Sequence, residues 1–380
     1  MQAMNSLLTD DQRMLADSVA PFMAAEGAIG TQLRHWRDTG CKDGFGHGLW
    51  KQFAELGLTG ILIPEAHGGT GLGMVEAGVV LEEVGRNLTP SPFLTTAVAA
   101  VRALDGSRQA ERWFPGIVAG EVVAALAIDE AKHHDPAHVA MTAKRSGNGF
   151  TLSGTKQFVV HGGSADVILV AARTAGSPGE QDGITLFAVE RDAKRLGVDT
   201  LNMVDSSKAA RLTFDQVEVD ADAVVGEVDG GWTPLARALS AARAGAAAEL
   251  VGVASGAAAM TLDYLKQRQQ FGKTIGEYQA LQHRAAHLYG EIEIARAATM
   301  KAAQLLDVGD ERATLMVSVA KAKAARVATL AVQEGIQMHG GIGMTDEHDI
   351  GLFMKRDAVL GTLFGSATWH AGEVARLSGY

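Results

Sequence analysis

Between residues 121 and 228 the chain changes its hydrophobic period, and no other feature constrains its fold as much. Short β-rich runs follow one another there: Val122 to Ile128, Phe150 to Val160, Val167 to Ala172, Ile184 to Val189 and Ala210 to Val219, separated by Gly, Asp and Ser clusters. On either side the period is helical. The stretch before it opens on a capping-type start, Thr9-Asp10-Asp11-Gln12, and carries Leu49 to Leu58 with apolar residues at helical spacing. From Trp232 onward long Ala-rich segments return, joined by short turns, as in a four-helix bundle; Ala and Gly along them read as close helix packing. The pattern predicts a multi-domain α+β protein: an N-terminal helical domain over 1–120, a middle antiparallel β-barrel domain over 121–228, and a C-terminal helical bundle over 229–380. Its 380 residues, 47% of them hydrophobic, exceed the size at which one core usually splits.

Charge and composition exclude several classes. A formal net charge of −10 argues against nucleic acid, whose phosphates need clustered Lys and Arg. The single cysteine, Cys41, leaves no internal disulfide framework and suits a reducing, cytoplasmic setting. The N-terminal stretch Met1 to Gln12 is acidic early and lacks an apolar run, unlike a signal peptide or anchor. No apolar segment reaches about 18 residues without a charge, so no membrane span is expected.

Chemistry concentrates in two C-terminal stretches. Arg268 to His283 reads R-Q-Q-F-G-K-T-I-G-E-Y-Q-A-L-Q-H, a Gly-bearing corner between two helical runs. A guanidinium at such a corner can fork onto a phosphate pair, and Gln270 and Gln279 can each donate and accept toward an adenine or ribose edge. On chemistry alone an Arg beside a helix–helix turn is more often a solvated charge. Downstream lies Q-M-H-G-G-I-G-M-T-D-E-H at Gln337 to His348, then K-R-D-A at Lys355 to Ala358. The Gly340-Gly341 pair would let backbone N–H groups come close to a pyrophosphate.

These blocks, at this separation, resemble the acyl-CoA dehydrogenase family, whose C-terminal domain carries R-x-x-F-G-x-x-I-x-x-x-Q at the same turn. Pro64 to Gly71 resembles its P-E-x-x-G-G-x-G loop. The resemblance implies FAD as cofactor, held across a dimer interface by Arg268, Gln270, Phe271, Gln279, Gln337, Gly340 and Gly341. It also implies an acyl-CoA substrate that loses an α-proton to a carboxylate while a hydride leaves the β-carbon for the flavin, with an electron-transferring flavoprotein as acceptor.

The departures from that family are as telling. Its commonest catalytic Glu falls on Gly365, and its minority position, directly before Arg243, falls on Ala242. No carboxylate occupies either place, and Glu373 lies too far along to substitute. The flavin-ring loop T-E-P-G-x-G-S-D has become Ile128 to Asp135, without glycine or proline, and K-x-W-I-T-N has become Lys156 to His161, with Val160 in place of the hydroxyl. An isopropyl group cannot donate a hydrogen bond. Through Leu152 to Asp166 (L-x-G-x-K-x-x-V-x-H-G-x-S-A-D), the first C-terminal block and the Thr362-Leu363-Phe364-Gly365 ending, the chain resembles the small, Glu-lacking subunit of heteromeric members such as pimeloyl-CoA dehydrogenase, a resemblance that implies a partner chain supplying the base and an acyl group that is dicarboxylyl or steroid-derived. Two other readings stay open: a flavin monooxygenase or oxidase on the same fold, and a flavin-free assembly or CoA-ester binding subunit.

The remaining polar residues have plain readings. His133, His134 and His138 lack partners for a metal set and read as a surface loop. His161 and His339 read as packing residues with a smaller claim to acid–base work. Asp129 and Glu130 read as solvated turn residues, and Lys321, Lys323 and Arg326 as a charged helix face. Arg243 is either a contact for the CoA or thioester end or a structural ion pair.

Overall fold

The computed structural model describes residues 8–380; residues 1–7, on which part of the reading of the N-terminus rests, lie outside the described residues. Helix α1 (Asp10–Glu26) begins as its capping signal predicts. Thr9 Oγ1 accepts from the Gln12 amide, and the Gln12 side chain accepts from the Thr9 amide. Helices α2 (His47–Glu55), α3 (Met74–Arg86) and α4 (Arg108–Val118) follow, with a π-helical stretch at Phe93–Ala100 that runs on as α-helix through Leu104. Strands β1 (Ala124–Ala127), β2 (Thr142–Ser146), β3 (Gly149–Val160), β4 (Val167–Arg173), β5 (Ile184–Glu190), β6 (Leu196–Asn202), β7 (Lys208–Asp220) and β8 (Val224–Val225) fill the segment where the sequence alternates. The rest is helical: α5 (Trp232–Gln267), a hairpin of β9 (Gln269–Gln270) and β10 (Lys273–Thr274), then α6 (Gln279–Asp307), α7 (Ala313–His339), α8 (Ile350–Leu360) and α9 (Ala367–Leu377).

Two compact units result. One comprises Trp36–Gly73 and Ser91–Ala242 and contains the sheet, ordered β6-β7-β3-β2-β4-β5-β8 with β1 beside β4. Most pairs are antiparallel, as expected, but β1 runs parallel to β4 and β2 meets β4 in parallel at Thr142 and Arg173. Every residue of β4 is buried, so its continuous apolar run, Val167 to Ala172, reflects cover on both faces.

The other unit takes the chain up to His35, Met74–Pro90 and Arg243–Tyr380, so α1 and α3 pack with the C-terminal helices. Glycine makes that possible. A Cβ on Gly85 of α3 would lie 2.0 Å from the Glu249 carbonyl of α5, and one on Gly252 of α5 would lie 2.0 Å from the Glu82 carbonyl of α3. A buried ion pair joins α6 to α3, with Arg296 Nη2 donating to Glu82 Oε1 at 2.9 Å and to Ser255 Oγ at 2.9 Å. Helix α5 is long and apolar enough to cross a membrane, with mean hydropathy 1.4 in its most apolar window. That window is 78% buried inside the protein, as a core helix requires.

Candidate functional site

The Arg268 corner is a tight hairpin. Gln269 pairs with Thr274 and Gln270 with Lys273, leaving Phe271 and Gly272 at the turn with φ of 53° and 80°. Positive φ at both central positions is the I′ pattern that fits strand twist, and Phe is a costly residue there. Thr274 then caps the 3-10 turn Ile275–Glu277 reciprocally with Glu277, which delivers Gln279 to the start of α6.

The two C-terminal blocks meet beneath this surface. Leu265, Ile275 and Met338 form a buried cluster against which Tyr264, Tyr278 and Leu281 pack. Tyr264 stacks on His339 with ring centroids 4.4 Å apart, and His348 lies 4.5 Å from the same ring. His339 Nδ1 sits 2.7 Å from the Gly335 carbonyl, so that nitrogen carries the proton; burial holds the imidazole's pKa below its ordinary value. It is a packing residue of this cluster. Above it, Arg268, Gln270, Phe271, Gln279, Gln337, Gly340 and Gly341 are all exposed. Among the described residues the Arg268 side chain has no hydrogen-bond or ion-pair partner. A Cβ at Gly340 or Gly341 would meet nothing within 4 Å, so this chain leaves the space over them open to a ligand. An unpaired guanidinium, three side-chain amides and an open glycine turn on an apolar base form a donor set that fits the phosphates and adenine of FAD.

Neither candidate base position carries a carboxylate. Ala242 is buried on α5. Gly365 sits in the turn between α8 and α9 at φ 111°, where a Cβ would meet the Trp369 ring at 2.7 Å and His370 Nε2 at 2.9 Å. Arg243 Nε donates to the Phe364 carbonyl at 3.2 Å, and its guanidinium lies 4.6 Å over the Trp369 ring. Glu373 pairs with Arg376 on α9.

The structure corrects the reading of Lys321 as part of a solvated face. Lys321 is fully buried, and its Nζ donates to the carbonyls of Leu360, Gly361 and Gly365 at 3.1 to 3.2 Å. Burial, aided by the nearby Arg243 charge, pushes its pKa down to about 7 against the pull of Asp357. Asp357, buried and bonded to Thr329 Oγ1 at 2.9 Å, is pushed up to about 6 by the same loss of solvent. Only Arg326 of the three basic residues is exposed, since Lys323 pairs with Glu291. The signal in the sequence was position: Lys321 lies four residues from Val317 and Ala325, on the apolar stripe of α7.

In the other unit, Glu130 is likewise no solvated turn residue. Its carboxylate pairs with the buried Lys156 ammonium at 2.7 Å and accepts from the amides of Ala140 and Met141. Burial lowers the Lys156 pKa, with Glu130 opposing. Asp129 holds His134 at 2.9 Å, which accounts for one of the three loop histidines, and no group of three metal-ligating side chains occurs among the described residues. The loop that lacks glycine is thus pinned by charge. A bulge in β3 puts Phe158, at φ 51° and 48% exposed, on the surface. His161 is buried against Thr95 Oγ1 at 2.9 Å, and the Val160 side chain before it offers no donor.

Three family models match consecutive stretches of the chain: the N-terminal domain of acyl-CoA dehydrogenases at residues 9–121, the middle domain at 125–217 and the C-terminal domain at 229–378. The cyclohex-1-ene-1-carbonyl-CoA dehydrogenase of Geobacter metallireducens is 33% identical, over 82% of this chain and 84% of its own. Two solved structures are also similar. A variant of the Tcur3481-Tcur3483 steroid ACAD matches with a TM-score of 0.86 and 30% identity, over 97% of this chain and 98% of its own. The ChsE4-ChsE5 complex from Mycobacterium tuberculosis matches with a TM-score of 0.87 and 25% identity, over 98% of both chains.

Proposed function

The chain belongs to the acyl-CoA dehydrogenase family, and we propose that within it this chain is one of two related subunits of a hetero-oligomeric enzyme. Family membership brings the reaction class, FAD-dependent dehydrogenation of an acyl-CoA thioester. When bound, the flavin accepts the hydride that leaves the substrate. On this reading the base that takes the α-proton, and the donors that hold the flavin ring, come from the partner chain. This chain brings Arg268, Gln270, Phe271, Gln279, Gln337, Gly340 and Gly341 to the nucleotide half of the partner's FAD. Arg268 would fork onto the pyrophosphate, the glycine turn beside Gln337 would present its amides, and Gln270 and Gln279 would face the adenine or ribose edge.

One contrast carries the reading. The exposed nucleotide-holding set is complete and unpaired, whereas Ala242 and Gly365 stand where a carboxylate is required for proton abstraction. We further propose a dicarboxylyl or steroid-derived acyl group, and an electron-transferring flavoprotein as electron acceptor. The similarity to a dehydrogenase of a cyclic acyl-CoA and to a structure named for a steroid ACAD supports the ring-containing alternative. The two-chain names, Tcur3481-Tcur3483 and ChsE4-ChsE5, support a partner.

Co-expression with an adjacently encoded dehydrogenase chain tests this. The expected result is a colourless, inactive chain alone and a yellow complex that oxidises a CoA ester together. A chain that is yellow alone and consumes oxygen would favour an oxidase or monooxygenase. A chain colourless in every pairing would favour a flavin-free binding subunit. Brisk thioester oxidation by the isolated chain would overturn the two-subunit reading altogether.

A further inference from the structure

We propose that Arg243 and Trp369 form a positioning pair that seals the Phe364–Gly365 turn, and that Arg243 is not a ligand of the CoA ester. The pairing rests on geometry and not on the two-subunit reading. Phe364 holds a positive φ of 58°, which costs energy in a residue with a side chain and persists only where its surroundings over-determine it, and Gly365 follows at 111°.

The surroundings here are basic side chains from separate helices. The Phe364 carbonyl receives Arg243 Nε from α5 at 3.2 Å and lies 3.2 Å from His370 Nε2 of α9. The next carbonyl, Gly365, receives Lys321 Nζ from α7 at 3.2 Å. Trp369 closes the remaining side from the first turn of α9, with its ring against both the Gly365 Cα hydrogens and the Arg243 guanidinium. A guanidinium that is stacked on an indole and bonded to a carbonyl is held in one place by two independent contacts.

Arg243 therefore acts through the turn, and removing it or removing Trp369 should release the same structure. A side chain at position 365 is rejected by the indole as well as by φ, so part of its cost belongs to Trp369.

The test uses the full chain. R243A, W369A and R243A/W369A are melted together, and each is titrated with butyryl-CoA. The expected result is that the double variant melts within about 2 °C of the worse single one, well short of the sum expected for independent sites. W369F should restore most of the loss because it keeps an aromatic face, and R243K should not, because an ammonium cannot stack flat and fork. G365A should lower the melting temperature, and W369A should recover roughly half of that loss, the remainder being left-handed strain. If W369A does not fold, W369L replaces it, with the same coupling expected.

Additive losses, or a G365A loss that ignores residue 369, would overturn the pairing. A loss of butyryl-CoA affinity confined to R243A would make Arg243 a ligand and overturn it too. Equal effects of R243A and W369A on that titration, or none from either, support it. Turnover by the co-expressed pair reports on the two-subunit proposal separately, since melting of this chain alone decides the coupling.

Discussion

The chain contains two Phe-Gly turns in the same unit, and their difference separates what the protein offers from what it keeps. At Phe271-Gly272 and at Phe364-Gly365 both residues have positive φ, and each turn has an arginine beside it. Phe271 is 89% exposed and Phe364 is 8% exposed. Arg268 is unpaired, while Arg243 is stacked and bonded. Similar local strain therefore serves opposite ends. The hairpin leaves an aromatic and a guanidinium out in solvent, and the α8–α9 turn gathers its neighbours inward until no side chain fits. Dipeptide sequence does not distinguish them; packing does.

Truncating the two phenylalanines gives the largest expected contrast. F364A removes a buried aromatic and should cost about 3–5 kcal/mol in urea melts. F271A should move stability by no more than about 0.5 kcal/mol, as a surface change does, and its effect should appear in the flavin content of the co-expressed complex. Equal stability losses would mean the hairpin tip is packed after all.

The arginines come next. R268A should leave the melt unchanged and weaken flavin retention by roughly 10- to 100-fold, the value of one charge-assisted contact of about 1.5–3 kcal/mol. R243A should do the reverse. It leaves a carbonyl short of a donor and an indole short of its cation, for a stability loss of about 1–3 kcal/mol. A chain in which R268A destabilises and R243A is silent would invert the assignment of the two turns.

How much of this the sequence carried follows from the same contrast. Helical, β-rich and helical periods were legible because burial repeats at fixed intervals, and the exposed arm was legible because Arg268, Phe271 and the glycine pair keep a recognisable spacing. Contacts between distant segments were not. Lys321 looks like a surface lysine until α8 and α9 fold over it, Glu130 looks like a loop carboxylate until β3 brings Lys156 beneath it, and α1 and α3 give no sign that they pack with the C-terminal helices. Parallel pairing of β1 with β4 depends on a crossover that strand periodicity does not encode.

The buried turn also predicts a pH dependence that the exposed hairpin lacks. Lys321 is held near 7 in the folded chain, below the ordinary lysine value of 10.5. Between those values the unfolded chain keeps a proton that the folded chain has released, so this group makes stability rise with pH across that window and fall as pH drops toward 7. Asp357 acts oppositely. Held near 6, above its ordinary 3.8, it contributes stability at low pH that is lost as pH rises through about 6. Urea melts at intervals from about pH 4 to 10 should show each slope, at most about 1.4 kcal/mol per pH unit for one proton. K321M should remove the alkaline slope and D357N the acid one. Slopes unchanged in both variants would mean that neither group is held as the burial of this turn implies.

The smallest expected effect is the sharpest test of what the hairpin is for. Asn tolerates left-handed φ far better than Phe, because its short side chain can bond locally and it carries no ring to place. F271N should therefore relieve strain at φ 53° and raise stability by a few tenths of a kcal/mol, up to about 0.5, in urea melts. If the strain serves only the turn, the variant should also retain flavin in the co-expressed complex. If instead the phenyl ring is kept at this cost because it packs on the partner's cofactor, F271N should be the more stable chain and the poorer flavin holder, with retention lowered several-fold. A gain in stability without that loss would show that the exposed ring has no ligand to meet, and the hairpin would then differ from its buried counterpart in packing but not in purpose.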